Sequence, residues 1–272
     1  VRSHLSLLVP DLIMLVMNAF LTLAFLLING DVFSSLINNP GVLFRQDGGN
    51  IVGLLDSVKV QNNLFKLVIS FLGFLFVNFL FGAGLVAIKF GMIKEMIKKK
   101  KASLIMGFKE GGKNVMKVLQ IRVFVFLLIS IFTLGLNFAL NGFLSFSQSA
   151  YILLSLYLFS EISVFLVNLF LLFRYPILFL DNVNGFTAVK KAFGFTFKKY
   201  GFVLSVWFII FLITVLFSYF FSVGLGYIVY MGESLGGLML VTILFYLLRS
   251  LINLVIRLWL DIYLFRCYVK RK

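Results

Sequence analysis

The 25 Lys and Arg residues of this 272-residue chain are unevenly divided among the segments that separate six long apolar stretches. Ten lie in residues 89–122, five in 174–199 and five in 257–272, and Arg2 brings this group to 21. The segment 29–63 carries two, against three Asp. Basic residues concentrate in the cytoplasmic loops of multi-pass membrane proteins. The pattern therefore predicts a cell-membrane protein with both termini on the cytoplasmic side.

The composition also indicates a bilayer as the surrounding solvent. Hydrophobic residues make up 61% of the chain and charged residues 13%, against about a half and about a quarter in soluble domains. A helix needs about 20 apolar residues to cross the hydrocarbon core. The runs of this kind are residues 12–28, 67–88, 123–143, 151–173, 202–225 and 237–256. We expect an all-α, polytopic membrane protein with one six-helix domain over residues 1–272. The first run is interpreted as a retained span, because no small-x-small cleavage site follows it.

Two segments on the predicted cytoplasmic side have the pattern of basic amphipathic helices. In residues 186–199, one helical face carries Phe186, Val189, Phe193 and Phe197, and residues 103–117 show a less regular version. The lysines beside these faces are Lys109, Lys113, Lys117, Lys190, Lys191, Lys198 and Lys199. Such helices lie on anionic membrane surfaces. We expect both to bind anionic headgroups of the inner leaflet, and we do not expect nucleic acid as a partner because the charge follows the helix ends.

The order of these elements suggests an internal repeat. Residues 67–143 and 151–225 each contain a span, a basic segment and a second span, and Lys109 matches Lys191 at the offset that also matches Lys117 to Lys199. Gene duplication and the general accumulation of lysines in cytoplasmic hairpins both explain this pattern.

The stretch from Asp181 to Tyr200, followed by Gly-Phe-Val-Leu, resembles a family of six-helix membrane proteins. These are the membrane domain attached to some glycerophosphodiester phosphodiesterases and its stand-alone, largely uncharacterised relatives. Shared features are an acidic residue after the fourth span, a Gly, an Ala-x-Lys helix start at Ala188, and a basic or aromatic end that enters span five. These 272 residues do not include the catalytic barrel of the phosphodiesterases. The resemblance therefore implies an architecture and no activity.

Two ionisable residues fall inside predicted spans, Glu161 in span four and Arg249 in span six. At 1.5 Å per residue, both lie about 15–18 Å below the outer end of their span. An unpaired charge at this depth costs a few kcal/mol or more. We therefore predict a Glu161–Arg249 ion pair, which would either fix the register of the two spans or lie on a transport path.

Polar side chains follow these residues along their helices and also follow span three. They are Tyr157 and Asn168 beside Glu161; Tyr246, Asn253, Arg257 and Asp261 beyond Arg249; and Thr133, Asn137 and Asn141 in span three. The stripes would either enclose a polar interior or form interhelical hydrogen bonds, which are worth only about 0.6 kcal/mol each. A further stripe of small residues in span five, Thr214, Ser218, Ser222 and Gly226, is expected to pack within the molecule.

The sequence lacks the patterns of common catalytic and metal sites. His4 and Cys267 are the single residues of their types, and no glycine-rich phosphate loop, HExxH or GxSxG occurs. We therefore predict no catalytic residue, metal or cofactor. The expected function is a non-catalytic, lipid-contacting membrane component or scaffold.

Two other functions are compatible with the sequence. One is a transporter or channel for an anionic or amphiphilic solute, which would use a polar interior around Glu161 and Arg249. The other is an enzyme that acts on lipid headgroups through Asp181 and Asp261 at the inner interface. Both carboxylates are also suited to simple pairing with Arg257 or with lysines of the basic helices.

Overall fold

The computed structural model describes residues 6–30, 58–99, 103–144, 149–232 and 238–272, and these ranges are helical with no strand. A 3-10 turn at Ser6–Leu8 leads into the first helix. The helices of the described residues are α1 (Val9–Ile28), α2 (Val58–Lys99), α3 (Leu104–Leu144), α4 (Ser149–Phe170), α5 (Arg174–Leu180), α6 (Gly185–Lys198), α7 (Tyr200–Gly232) and α8 (Leu238–Arg271). The all-α prediction is confirmed for this part of the chain.

Five stretches among the described residues are long and apolar enough to cross a membrane. They are Ser6–Ile28, Phe65–Lys98, Leu104–Leu136, Tyr157–Asp181 and Tyr200–Gly224. They correspond to the first five predicted spans, so the chain has the helices of a membrane protein. The sixth span is predicted within α8, and the side chains of residues 238–244 lie outside the described part.

The chain divides into two compact units, Pro10–Leu85 and a larger unit made of Val1–Val9 and Val86–Lys272. In the smaller unit, the buried Asn29 amide donates a hydrogen bond of 2.8 Å to the Ser70 hydroxyl. One turn before Asn29, the Phe25 ring contacts Phe71 and Phe74 of α2. These contacts attach the end of α1 to α2.

The core of the larger unit is built around the short helix α5. Pro176 lies in the first turn of this helix. Backbone N–H groups of the first turn have no partner within the helix, so the missing N–H of proline costs no hydrogen bond there. The next three residues, Ile177, Leu178 and Phe179, are buried. On the neighbouring face, Phe90 of α2 stacks on Tyr175 at 4.7 Å between ring centroids. The break after α4 therefore places a short helix, apolar from Pro176 to Leu180, between α2, α3 and α8.

Away from this core, the long helices carry large apolar side chains on their surfaces. Phe76, Phe138 and Phe220 are examples, one from each of α2, α3 and α7. Many other large apolar side chains of these helices are exposed as well, which is uncommon in monomeric soluble proteins. The exposed rings fit a surrounding of acyl chains, and the buried core lies at the end of the bundle where the basic residues are concentrated.

The basic segment 103–117 differs from its prediction, because it does not form a separate helix. Its residues from Leu104 onward belong to α3, which runs unbroken to Leu144. A 41-residue helix is about 60 Å long, roughly twice the thickness of a hydrocarbon core. The physical reason is close packing on α2: a Cβ added at Gly111 would lie 2.6 Å from the Cα of Ile88. The two backbones meet at this point, so residues 86–99 of α2 and the first half of α3 form a closely packed hairpin.

The two halves of the predicted repeat are also connected differently. α2 and α3 follow one another almost directly, whereas α5 and α6 stand between α4 and α7. Duplication of 67–143 and 151–225, and the single domain over 1–272, stay predictions.

Substituting Gly111 by Ala should destabilise the hairpin, because the added methyl group meets backbone atoms of Ile88 and Ala87. Overpacking of this kind costs about 1–3 kcal/mol. Gly112, the next residue, faces open space, and Gly112→Ala should stabilise the helix by up to about 1 kcal/mol. Thermal unfolding in detergent micelles measures both. Equal melting temperatures for the two variants would contradict the close packing.

Candidate functional site

Helix α6 sits at the basic end of the larger unit and has a buried face made of small residues. The buried residues are Gly185, Ala188, Val189, Ala192 and Thr196. A Cβ added at Gly185 would lie 2.7 Å from the carbonyl oxygen of Lys117, so the helix begins directly against α3. Near its other end, the Thr196 hydroxyl donates to the carbonyl of Phe170 at 3.0 Å. The small face fixes α6 between α3, α4, α5 and α7.

The other faces of α6 separate aromatic from basic side chains. Phe186 and Phe197 are 64% and 68% exposed, and at 100° per residue they lie about 20° apart around the helix. Lys191 and Lys198, also exposed, lie roughly 120–140° from Phe186. Exposed Lys190 stands beside the aromatic pair. The helix thus has a small, an aromatic and a basic face.

This arrangement corrects the predicted apolar face of residues 186–199. Val189 turns into the protein, and Phe193 is half-buried, while Phe186 and Phe197 point outward. The sequence periodicity predicted a helix where α6 lies, but it combined a buried and an exposed face into one. The signal that could have separated them is the recurrence of Gly185, Ala188, Ala192 and Thr196, since small side chains mark close helix contacts.

Asp181, at the end of α5, joins three helices. Its carboxylate accepts a hydrogen bond of 3.0 Å from the Tyr268 hydroxyl and one of 2.7 Å from Nζ of Lys272. Nζ of Lys191 lies 3.6 Å away. The carboxylate-bearing side chain is only 10% exposed. Burial of the phenol, together with the hydrogen bond to Asp181, raises the pKa of Tyr268. Tyr268 therefore stays protonated and serves as a donor.

Neighbouring lysines also hold this end of the molecule together. Asn182 adopts a left-handed backbone with φ of 50°, and Nζ of Lys117 donates to its side-chain oxygen at 3.4 Å. Lys199 donates to the carbonyl of Arg271 and lies 5.5 Å from the centre of the Phe195 ring. Together with Lys191, these lysines connect helices.

Two further ion pairs involve lysines of α2. Nζ of Lys89 lies 2.7 Å from Asp261 of α8, with the lysine side chain 6% exposed. Nζ of Lys94 lies 2.7 Å from Glu110 of α3, and exposed Lys113 approaches the same carboxylate at 3.8 Å. The sequence placed Asp261 beyond Arg249 on a stripe and did not identify Lys89 as its partner.

The two carboxylates that a lipid-headgroup enzyme would use, Asp181 and Asp261, both contact basic side chains. Asp181 contacts Lys191, Lys272 and Tyr268, and Asp261 contacts Lys89. In the part of the chain that the structure describes, no group of three or more His, Cys, Asp or Glu side chains could hold a metal ion.

The structure does not bring Glu161 and Arg249 together. Glu161 is exposed on α4 and Arg249 is half-buried on α8. The ion pairs of the described residues do not include a pair between them.

Among the described residues, the side chains of the polar stripes have mixed environments, and few of them form hydrogen bonds. Asn168 is half-buried and lies 3.5 Å from Arg174, which donates to it. Tyr157, Tyr246 and Arg257 are exposed, Asn253 and Thr133 are half-buried, and the side chains of Asn137 and Asn141 lie outside the described residues. Within the described part, the Thr133 hydroxyl is buried without a hydrogen-bond partner.

Substituting Asp261 by Asn should destabilise the protein by about 3 kcal/mol, because it removes a carboxylate 2.7 Å from a buried ammonium group. The double variant Lys89→Met with Asp261→Asn should be more stable than Asp261→Asn alone, since the buried charge is then removed as well. Lys113→Met is the control: its side chain is 65% exposed, and the change should stay within about 0.5 kcal/mol. Denaturant unfolding in micelles measures all three. A double variant less stable than Asp261→Asn would contradict this account.

A scan against protein-family models, a search of curated proteins and a search of solved structures found no match to this chain. The resemblance of the segment beginning at Asp181 to the phosphodiesterase-linked membrane domains therefore rests on its sequence pattern alone, and it stays a prediction.

Proposed function

We propose that this protein is a non-catalytic component or scaffold of the cell membrane that contacts inner-leaflet lipids through α6. The observation that carries the proposal is the division of α6 into three faces. Small residues such as Ala188 and Ala192 are buried, two Phe rings are exposed, and Lys191 and Lys198 are exposed on a third side. A helix at a membrane interface meets these three surroundings: protein, acyl chains and water with headgroups.

The proposal includes the predicted topology. Six spans with both termini inside place residues 89–122, 174–199 and 257–272 on the cytoplasmic side, together with α6. The five apolar helices support the membrane part of this topology, and the charge distribution supports its orientation.

The energies assign different roles to the two exposed faces of α6. Burying a Phe side chain gains roughly 1.5–3 kcal/mol, so Phe186 and Phe197 would hold the helix at the acyl boundary. A lysine near an anionic surface contributes about 1 kcal/mol. The aromatic pair therefore determines the depth of the helix, and the exposed lysines determine the preference for anionic lipid.

The hairpin formed by α2 and α3 offers a second lipid-contacting stretch. Ile105, Phe108 and Met116 are exposed near the start of α3, with exposed Lys109 beside them. Although this segment is not a separate helix, it combines apolar and basic side chains as α6 does. We include it in the proposed lipid-contacting surface.

Lipid contact is favoured over transport because of the position of Glu161. A transport path would require this carboxylate and Arg249 to line a shared interior, and Glu161 is instead exposed on α4. Catalysis at Asp181 is disfavoured because Tyr268 and two lysines occupy its carboxylate.

An environment-sensitive fluorophore on α6 should distinguish its two exposed faces. In a Cys267→Ser background reconstituted in nanodiscs, NBD at Phe186→Cys or Phe197→Cys should be blue-shifted and quenched by brominated lipid. NBD at Thr187→Cys or Lys198→Cys should show the emission of an aqueous environment. These two positions are also exposed, but they lie on the basic side of the helix. Four equal spectra would contradict a helix that lies at the interface.

Retention of anionic lipid should depend on the lysines that do not hold the fold together. Within the described residues, Lys190 and Lys198 take no part in the ion pairs, whereas Lys191 contacts Asp181. Lys190→Gln with Lys198→Gln should reduce the phosphatidylglycerol retained in native mass spectrometry at least threefold, with the melting temperature unchanged. The matched control is Lys191→Gln, which removes the contact with Asp181. It should lower the melting temperature, and it should reduce lipid retention less than the first variant does. Unchanged retention in the first variant would remove the main support for lipid binding.

A further inference from the structure

Glu161 lies in an environment that disfavours a carboxylate. It is exposed near the middle of α4, and its exposed neighbours Leu158, Ile162 and Phe165 are apolar. The same helix belongs to a candidate membrane span, Tyr157–Asp181. The nearby Ser160 hydroxyl donates to the backbone carbonyl of Tyr157. An ionised side chain facing acyl chains at this depth costs at least a few kcal/mol unless it meets a cation.

Arg249 is a positive charge among apolar neighbours, at nearly the same depth as Glu161. It is half-buried on α8, and its neighbours Leu248 and Leu251 are exposed. Glu161 is twelve residues from the start of α4 at Ser149, and Arg249 is eleven from the start of α8 at Leu238. At 1.5 Å per residue these distances are about 18 Å and 16.5 Å. Both helices run inward in the proposed topology, so the two charges lie at nearly equal depth.

Helix α7 packs against both α4 and α8 and carries an exposed stripe of small residues. Phe165 of α4 contacts Trp207 of α7, and Phe245 of α8 contacts Phe221 of α7. Thr214, Ser218 and Ser222 of α7 are exposed. The expectation that this stripe packs within the molecule is therefore wrong for these three residues. The burial of Gly226 lies outside the described part of the chain.

We propose that a second copy of this chain covers this surface, with Glu161 of each copy paired to Arg249 of the other. The Thr214–Ser218–Ser222 stripe allows the two copies to approach closely in lipid. In a twofold dimer whose axis lies along the membrane normal, each interface residue keeps its depth and every contact occurs twice. Equal depth of the two charges is the geometric requirement of such a dimer, and two ion pairs form at once.

Charge reversal provides a test that separates a pair between copies from a pair within one copy. A dimer of Glu161→Arg copies would place Arg against Arg at both contacts, and a dimer of Arg249→Glu copies would place Glu against Glu. A mixed dimer of the two variants restores one inverted pair and one native pair. A pair within one chain would gain nothing from mixing.

The experiment uses two affinity tags on co-expressed full-length chains, cross-linked in the membrane before solubilisation. Capture through one tag and detection of the other should show the wild type associating with itself, each variant alone reduced about tenfold, and the mixture at the wild-type level. A mixture no better than the single variants would overturn the proposal. A wild type that does not capture itself would also overturn it, and would mean that lipid or another protein covers this surface.

Cysteine cross-linking keeps the test valid if a reversed charge prevents folding. In a Cys267→Ser background, a Glu161→Cys copy with one tag and an Arg249→Cys copy with the other should be joined by a short bifunctional thiol reagent into a pair carrying both tags. A reagent is needed because an ion pair between two long side chains holds its Cα atoms farther apart than the roughly 7 Å that a disulfide spans. The control places the second cysteine at exposed Phe186 of α6, which lies at the basic end and not at the depth of Glu161, and this pairing should not cross-link. Absence of the Glu161→Cys–Arg249→Cys product, with both chains present in the membrane, would overturn the proposal.

Discussion

The Asp181 carboxylate determines how the basic end of this protein is assembled. It accepts hydrogen bonds from Tyr268 and Lys272 of the α8 region and lies within ion-pair distance of Lys191 on α6. Its own position follows from α5, whose apolar residues are buried. Since the carboxylate is almost enclosed, its charge must be balanced locally. The lysine from α6 and the lysine that follows α8 supply that balance, and the orientation of α6 follows from it.

Once α6 is held in this way, its remaining faces are determined by chain geometry. The buried face uses Gly, Ala and Thr because Gly185 meets the backbone of α3 with no space for a side chain. Phe186 and Phe197 then point away from the protein, and Lys191 and Lys198 occupy the third side. The lipid-contacting surface that we propose therefore depends on the same small residues that pack α6 against its neighbours.

Sequence reasoning located the elements better than it located their contacts. Apolar runs and charge placement predicted the long helices, because both follow from burying about 20 residues in hydrocarbon. The continuity of α3 was missed, since the lysines of 103–117 suggested a surface helix, and the close approach of Gly111 to Ile88 depends on a partner far along the chain. The Lys89–Asp261 pair was missed for the same reason. Amphipathic spacing predicted a helix where α6 lies but could not separate its buried side from its exposed apolar side.

The lysines of the basic end perform two roles, and salt affects these roles differently. Lys89 and Lys94 are buried and each lies 2.7 Å from a carboxylate, so mobile ions approach them poorly. Lys190 and Lys198 are exposed, and the attraction of such charges to an anionic surface decays over a Debye length of about 8 Å at physiological ionic strength. Raising the ionic strength therefore weakens the lipid preference of α6, while the Lys89–Asp261 and Lys94–Glu110 pairs persist. The excess of positive charge in the sequence thus combines a salt-sensitive surface with two buried, salt-resistant ion pairs, and only the exposed lysines attract lipid.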